Sequence, residues 1–150
     1  MQRLKAKAGF IGTHGVGSEL GQLEKTAMTT PGAFELQAYC NKLMQDDCEA
    51  VVMEVSSHAI AQHRAVGVQF DTLVLTNVTR DHLDYHNNIE SYVKTKEQLF
   101  KAYDARTMVL NLDDAVGSQL SQHLGSKQNV IGYSVRGTKC SQRAVLRGCQ

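Results

Sequence analysis

Residues 76–100 read TNVTRDHLDYHNNIESYVKTKEQLF, a stretch that crowds His82 and His86 with Asp81, Asp84 and Arg80 in a short loop ahead of a helix. Imidazoles and carboxylates are the groups that hold divalent cations or move protons, so this loop could bind a metal. His82, between Asp81 and Leu83, fits either a ligand or a structural histidine. In the helix that follows, Ile89, Tyr92, Val93, Phe100 and Tyr103 form one apolar stripe, and the member missing from it is Lys96. An ammonium on that face is costly unless paired, and burial pushes a lysine towards its neutral form. Two readings fit. Lys96 snorkels past the core or pairs with an acid. Alternatively, its neutral amine takes up carbon dioxide, and the carbamate serves as a carboxylate-like ligand. Beside His82 and Glu54 it would then suit Mg²⁺, with phosphates and water completing the shell.

Glu54 stands in the apolar run AVVMEV, which reads as a buried strand. If both faces of that strand are covered, the carboxylate needs a metal or a hydrogen-bond donor; at a sheet edge it reaches water. His58, after Ser56 and Ser57, suits a hydrogen-bonded turn. Gln62, His63 and Arg64 form a polar cluster in which Arg64 is an anion binder, or else a plain surface loop. GTHGVGS (12–18) resembles a phosphate loop only superficially. The pattern G-x-x-x-x-G-K-[ST], whose lysine reaches the phosphates, occurs nowhere in the chain.

These residues need a scaffold, and the alternation of apolar runs with amphipathic stretches predicts one. Strands are expected at 9–13, 50–55, 71–77, 107–112 and 129–134. Helices are expected at 31–45, with Thr30 as N-cap and Pro31 at the first position, at 88–103 capped by Asn88, and weakly at 115–124. Residues 15–30 read as irregular, and 135–150 show no period. Continuous apolar strands separated by helices indicate an α/β fold, a mostly parallel sheet with helices on both faces. Chemistry in such sheets gathers beyond the carboxyl ends of the strands, where EVSSH, TNVTRDH and NLDD stand here.

The bulk composition is compatible with this. At 150 residues the chain is sized for one domain, and 42% hydrophobic residues can fill a core. A net charge of +1 gives no electrostatic case for nucleic acid or a membrane surface. No apolar run approaches the roughly 20 residues of a membrane span, and no secretory h-region is visible. Four cysteines without CxxC spacing read as reduced thiols in a cytoplasmic protein. The opening MQRLKAKA reads as helix without a preceding cap, as in a fragment.

MEVSSHAIAQHR, FDTLVLTNVTRDHLDYHNNIESYVKTKEQLF and VLNLDDAVG resemble the central ATPase domain of the Mur ligases, over about Gly9 to Tyr133. The resemblance is strongest to members that add the third amino acid of the peptidoglycan stem. It implies a partial central domain over 1–134 with an unassigned tail at 135–150, in a cytoplasmic, ATP- and Mg²⁺-dependent ligase. Such an enzyme activates the carboxylate of UDP-N-acetylmuramoyl dipeptide as an acyl phosphate and joins it to an amino acid. Carried over position by position, it implies a carbamylated Lys96 and His82 on one magnesium and Glu54 on another. Thr29, Thr30, Ser56, Gln62 and Arg64 fall at substrate contacts, and Asn111 and Asp113 near the nucleotide. The family's P-loop and its N- and C-terminal domains have no counterpart in these residues, so the chain alone is expected to be inactive. Which amino acid is added is undecided. Three alternatives stand: a folylpolyglutamate synthetase-like ligase, a metal-dependent hydrolase, and a non-catalytic nucleotide-sugar-binding remnant.

Overall fold

A computed structural model describes residues 6–19, 21–79, 88–124 and 129–136. Contacts divide the chain into two units, Met1–Val68 and Gln69–Gln150.

In the first unit, β1 (Ala8–Gly12) runs parallel to β3 (Ala50–Met53) and antiparallel to the short β2 (Gly15–Gly17). The hairpin register pairs Gly12 with Gly15, so Thr13 and His14 form a two-residue turn. Gly15 has φ +123°, and a Cβ there would lie 2.4 Å from the Glu24 carbonyl oxygen, so glycine is required. GTHGVGS is therefore a hairpin, and part of the region expected to be irregular is strand. α1 (Ala33–Gln45) buries Leu36 and Leu43, and Leu43 lies against Gly9 of β1. The short α2 (Ser57–Ala61) is capped by Ser56, whose hydroxyl accepts from the Ala59 N–H at 3.2 Å.

Two expectations are corrected in this unit. The N-cap of α1 is Gly32, which makes no side-chain cap bond, and not Thr30. The Thr30 hydroxyl is committed elsewhere, to the backbone at Glu54 and Ser56. The strand AVVM is not fully covered: Val51 and Val52 are 39% and 61% exposed. Among the described residues β3 pairs only with β1, so it is an edge strand.

In the second unit, β4 (Thr72–Leu75), β5 (Thr107–Asn111) and β6 (Asn129–Tyr133) form a parallel sheet with β5 in the middle. Alternate residues Leu73, Leu75, Met108, Leu110 and Val130 are buried, as period-2 patterning requires. α3 (Ile89–Ala102) adds Tyr92, Leu99 and Phe100 to the buried set, and α4 (Ala115–Leu124) adds Val116 and Leu120. Asn88 caps α3 as expected, accepting from the Ser91 N–H at 2.8 Å. Asp114 caps α4, its Oδ1 accepting from the N–H groups of Val116 and Gly117. The chain is thus α/β, with a parallel sheet flanked by helices.

Candidate functional site

In the first unit the site grows from the ends of β1 and β3. Their pairing continues one residue past β3, where the Glu54 N–H donates to the Ile11 carbonyl at 2.9 Å. This brings the Glu54 side chain beside the β1–β2 turn. Thr13 donates twice to Glu54 Oε2, through its N–H at 2.7 Å and its hydroxyl at 2.6 Å. The Thr13 hydroxyl bond, then the Thr13 N–H and the nearby His14, hold the Glu54 carboxyl below its ordinary value, against partial burial acting the other way. The carboxylate is therefore ionised, and it is exposed at the strand end as the edge-strand reading requires.

Thr29 lies 3.2 Å from Thr13, hydroxyl to hydroxyl. Thr30 is fully buried; its hydroxyl donates to the Glu54 carbonyl at 2.9 Å and accepts from the Ser56 N–H at 3.0 Å. The Thr30 carbonyl accepts from Arg64 Nη1 at 2.8 Å. The Arg64 guanidinium also donates to Gln62 Oε1, through Nε at 2.9 Å and Nη2 at 2.5 Å. Thr29, Thr30, Glu54, Ser56, Gln62 and Arg64 are thus gathered into one network. Thr30 serves it from the inside. His58, expected in a hydrogen-bonded turn, lies within the short helix α2. Ser57, beside Ser56, has a buried hydroxyl without a hydrogen-bond partner among the described residues.

In the second unit the strand-end residues are also tied together. Asn111 Nδ2 donates to the Thr76 carbonyl at 2.7 Å, and Asn111 Oδ1 accepts from the Asp113 N–H at 2.9 Å. Asp113 accepts from the Ser134 hydroxyl at 2.6 Å, the Val135 N–H at 2.7 Å and the Arg136 N–H at 3.0 Å. Asp114 Oδ2 accepts from the Val78 N–H at 2.9 Å. Lys96 lies on the face of α3 that carries Tyr92 and Phe100, half-buried, with its Nζ 5.7 Å from the centre of the Tyr92 ring. His82 and its neighbours Asp81 and His86 lie outside the described residues. Among the described residues, no group of three or more His, Cys, Asp or Glu gathers in a way that could hold a metal. No helix there is long and apolar enough to cross a membrane.

The family model described as the Mur ligase middle domain matches residues 1–147. The chain belongs to the Mur ligase family. A UDP-N-acetylmuramoyl-L-alanyl-D-glutamate--2,6-diaminopimelate ligase of Coxiella burnetii is 43% identical over 139 residues, 93% of this chain and 28% of the relative. The ligase of that name from Xylella fastidiosa is 43% identical over 135 residues, 90% of the chain and 27% of the relative. A solved structure of a ligase of the same name superposes with a TM-score of 0.77 at 29% identity, covering 91% of this chain and 28% of that one. This Mur ligase middle-domain segment thus spans little more than a quarter of the length of the proteins it matches.

Sequence reasoning missed Gly12 and Thr13 in this middle domain. The only signal was a small polar step, Gly-Thr, at the end of an apolar strand. Nothing in it told which strand β1 would pair with, and hence that Thr13 would face Glu54.

Proposed function

We propose that this middle domain serves an ATP-dependent ligase that joins 2,6-diaminopimelate to the terminal carboxylate of UDP-N-acetylmuramoyl-L-alanyl-D-glutamate. The observation that carries the reading is the network around Glu54, in a chain 43% identical to relatives bearing that name. Thr29, Ser56, Gln62 and Arg64 supply hydroxyl, amide and guanidinium groups suited to a sugar-peptide and its carboxylate. Thr30 acts by holding Ser56 and the Arg64 arm in place.

The donor chemistry of Glu54 fits magnesium. Mg²⁺ keeps several waters and takes one or two carboxylates together with substrate phosphates, and Glu54 offers an ionised carboxylate at an exposed strand end. His82 and a carbamylated Lys96 are the proposed ligands of a further ion. Magnesium, when bound, would neutralise charge on the ATP phosphates. Asn111 and Asp113 would act near the nucleotide by fixing the loops that follow β4 and β6, since their polar groups are already engaged with those loops.

The test is a chimera of the Coxiella burnetii relative in which the matching 139 residues are exchanged for those of this chain. Folded chimera should couple ATP consumption to diaminopimelate addition, read by product mass, and Glu54→Gln should abolish it. Folded chimera that forms no product with diaminopimelate or lysine would refute the proposal.

A further inference from the structure

We infer that Thr13 is a positioning residue for Glu54: with Gly12 it forms a cradle that pins one carboxylate oxygen and leaves the other available to receive a cation. The cation alone rests on the proposed function; the cradle stands on geometry.

Both Thr13 donors converge on the same atom, Oε2, at 2.7 and 2.6 Å. Two bonds to one oxygen fix the rotation of the carboxylate, which a single bond would not. Oε1 makes no hydrogen bond among the described residues. Gly12 supplies the space: a Cβ there would lie 2.8 Å from both Cδ and Oε2 of Glu54, and 2.6 Å from Cζ of Phe10. Any side chain at position 12 would displace the carboxylate or the Phe10 ring.

The proton inventory sets the direction of the rest. A threonine hydroxyl carries one proton and two lone pairs. The 2.6 Å contact to an ionised carboxylate takes the Thr13 proton, so the 3.2 Å contact with Thr29 runs the other way, Thr29 donating to Thr13. Donation therefore runs from Thr29 through Thr13 to Glu54. Thr13 thereby links a proposed substrate contact to a proposed metal ligand.

A merely structural Thr13 would staple the β1–β2 turn to β3 without governing cation affinity, and two measurements on the chain separate the cases. The first is a double-mutant cycle in urea denaturation with Thr13→Val, Glu54→Gln and the pair. Coupling of about fivefold or more in the unfolding equilibrium is expected, and additivity would overturn the cradle. The second is Mn²⁺ affinity by electron paramagnetic resonance. Thr13→Val should bind about 10-fold more weakly, as for other groups that orient a metal ligand, and Thr13→Ser should stay within about twofold of the parent. A Thr13→Val chain that binds Mn²⁺ like the parent, while Glu54→Gln does not, would overturn the positioning role. If Glu54→Gln leaves Mn²⁺ affinity unchanged, the metal reading fails and the cycle alone decides on Thr13. Should Thr13→Val fail to fold, Thr13→Ala takes its place in both measurements.

Discussion

Gly117 lies in the first turns of α4, where alanine ordinarily stabilises a helix by about 1 kcal/mol over glycine. Here the sign should reverse. A Cβ at Gly117 would lie 2.0 Å from the Asn111 carbonyl oxygen and 3.0 Å from its carbon, while ordinary contact begins at 3.4 Å. The helix would have to withdraw from the end of β5 by the difference, about 1.4 Å, and the obstacle is backbone, which has no rotamer to change. Overpacking of this kind costs about 1–3 kcal/mol, and an approach this close belongs at the upper end. Net of the helix gain, Gly117→Ala should destabilise the chain by about 2 kcal/mol, or about 30-fold in the unfolding equilibrium. Urea denaturation followed by circular dichroism should show the midpoint fall by about 1 M, with a slope near 2 kcal/mol/M. Gly21→Ala is the control, since nothing lies within 4 Å of its Cβ position, and it should move the midpoint little. An unchanged or raised midpoint for Gly117→Ala would refute the reasoning.

Thr30→Val leaves the part-buried Ser56 N–H without its acceptor, and should cost about 1–3 kcal/mol by urea denaturation. Ser57→Ala should instead stabilise, by about 1 kcal/mol, because the hydroxyl it removes is buried and has no partner among the described residues. Tyr133 is held above the ordinary phenol value, first by burial and then by Asp114 and Asp113. Its contribution to stability is therefore fully present below the unfolded-state value of about 10 and is lost as pH rises through the folded value. Absorbance titration near 295 nm should show late-titrating tyrosine in the folded chain and none in urea; simultaneous titration in both states would count against the placement of Tyr133. The chain on its own should hydrolyse ATP at background rate in a phosphate-release assay, because no residues in it match a P-loop.

Strands and the lysine-bearing helix were legible because they rest on local pattern. Apolar runs bounded by polar clusters marked β1, β3, β4, β5 and β6, and Asn88 marked the start of α3. The same stripe put Lys96 on an inward face, where the structure has it half-buried beside Tyr92. What escaped depends on contacts between residues distant in sequence. Thr30 looked like a helix cap because it precedes Pro31, but its hydroxyl is captured by the backbone 24 and 26 residues on. AVVM looked like a covered strand because apolar composition does not report edge position. Thr13 carried only a Gly-Thr step at the end of an apolar run, since its contact with Glu54 exists only once β1 and β3 are paired.

The acids at the strand ends illustrate why a family of residue types does not by itself assign roles. Asp113 spends Oδ1 on Ser134 and Oδ2 on the Val135 and Arg136 N–H groups, so it holds the end of β6 to the loop after β5. Asp114 divides its oxygens between the start of α4 and the Val78 N–H. Glu54 differs: both of its bonds fall on one oxygen, from one residue, in a turn made close by a glycine. A carboxylate satisfied on both oxygens has little left to offer an incoming cation without breaking bonds within the protein. One held firmly by a single oxygen is already oriented, so less conformational freedom is lost when a ligand arrives. By sequence alone all three are acids in or just after apolar runs; the count of donors per oxygen separates two loop clamps from one carboxylate with an oxygen left over, the one the proposal gives to a cation.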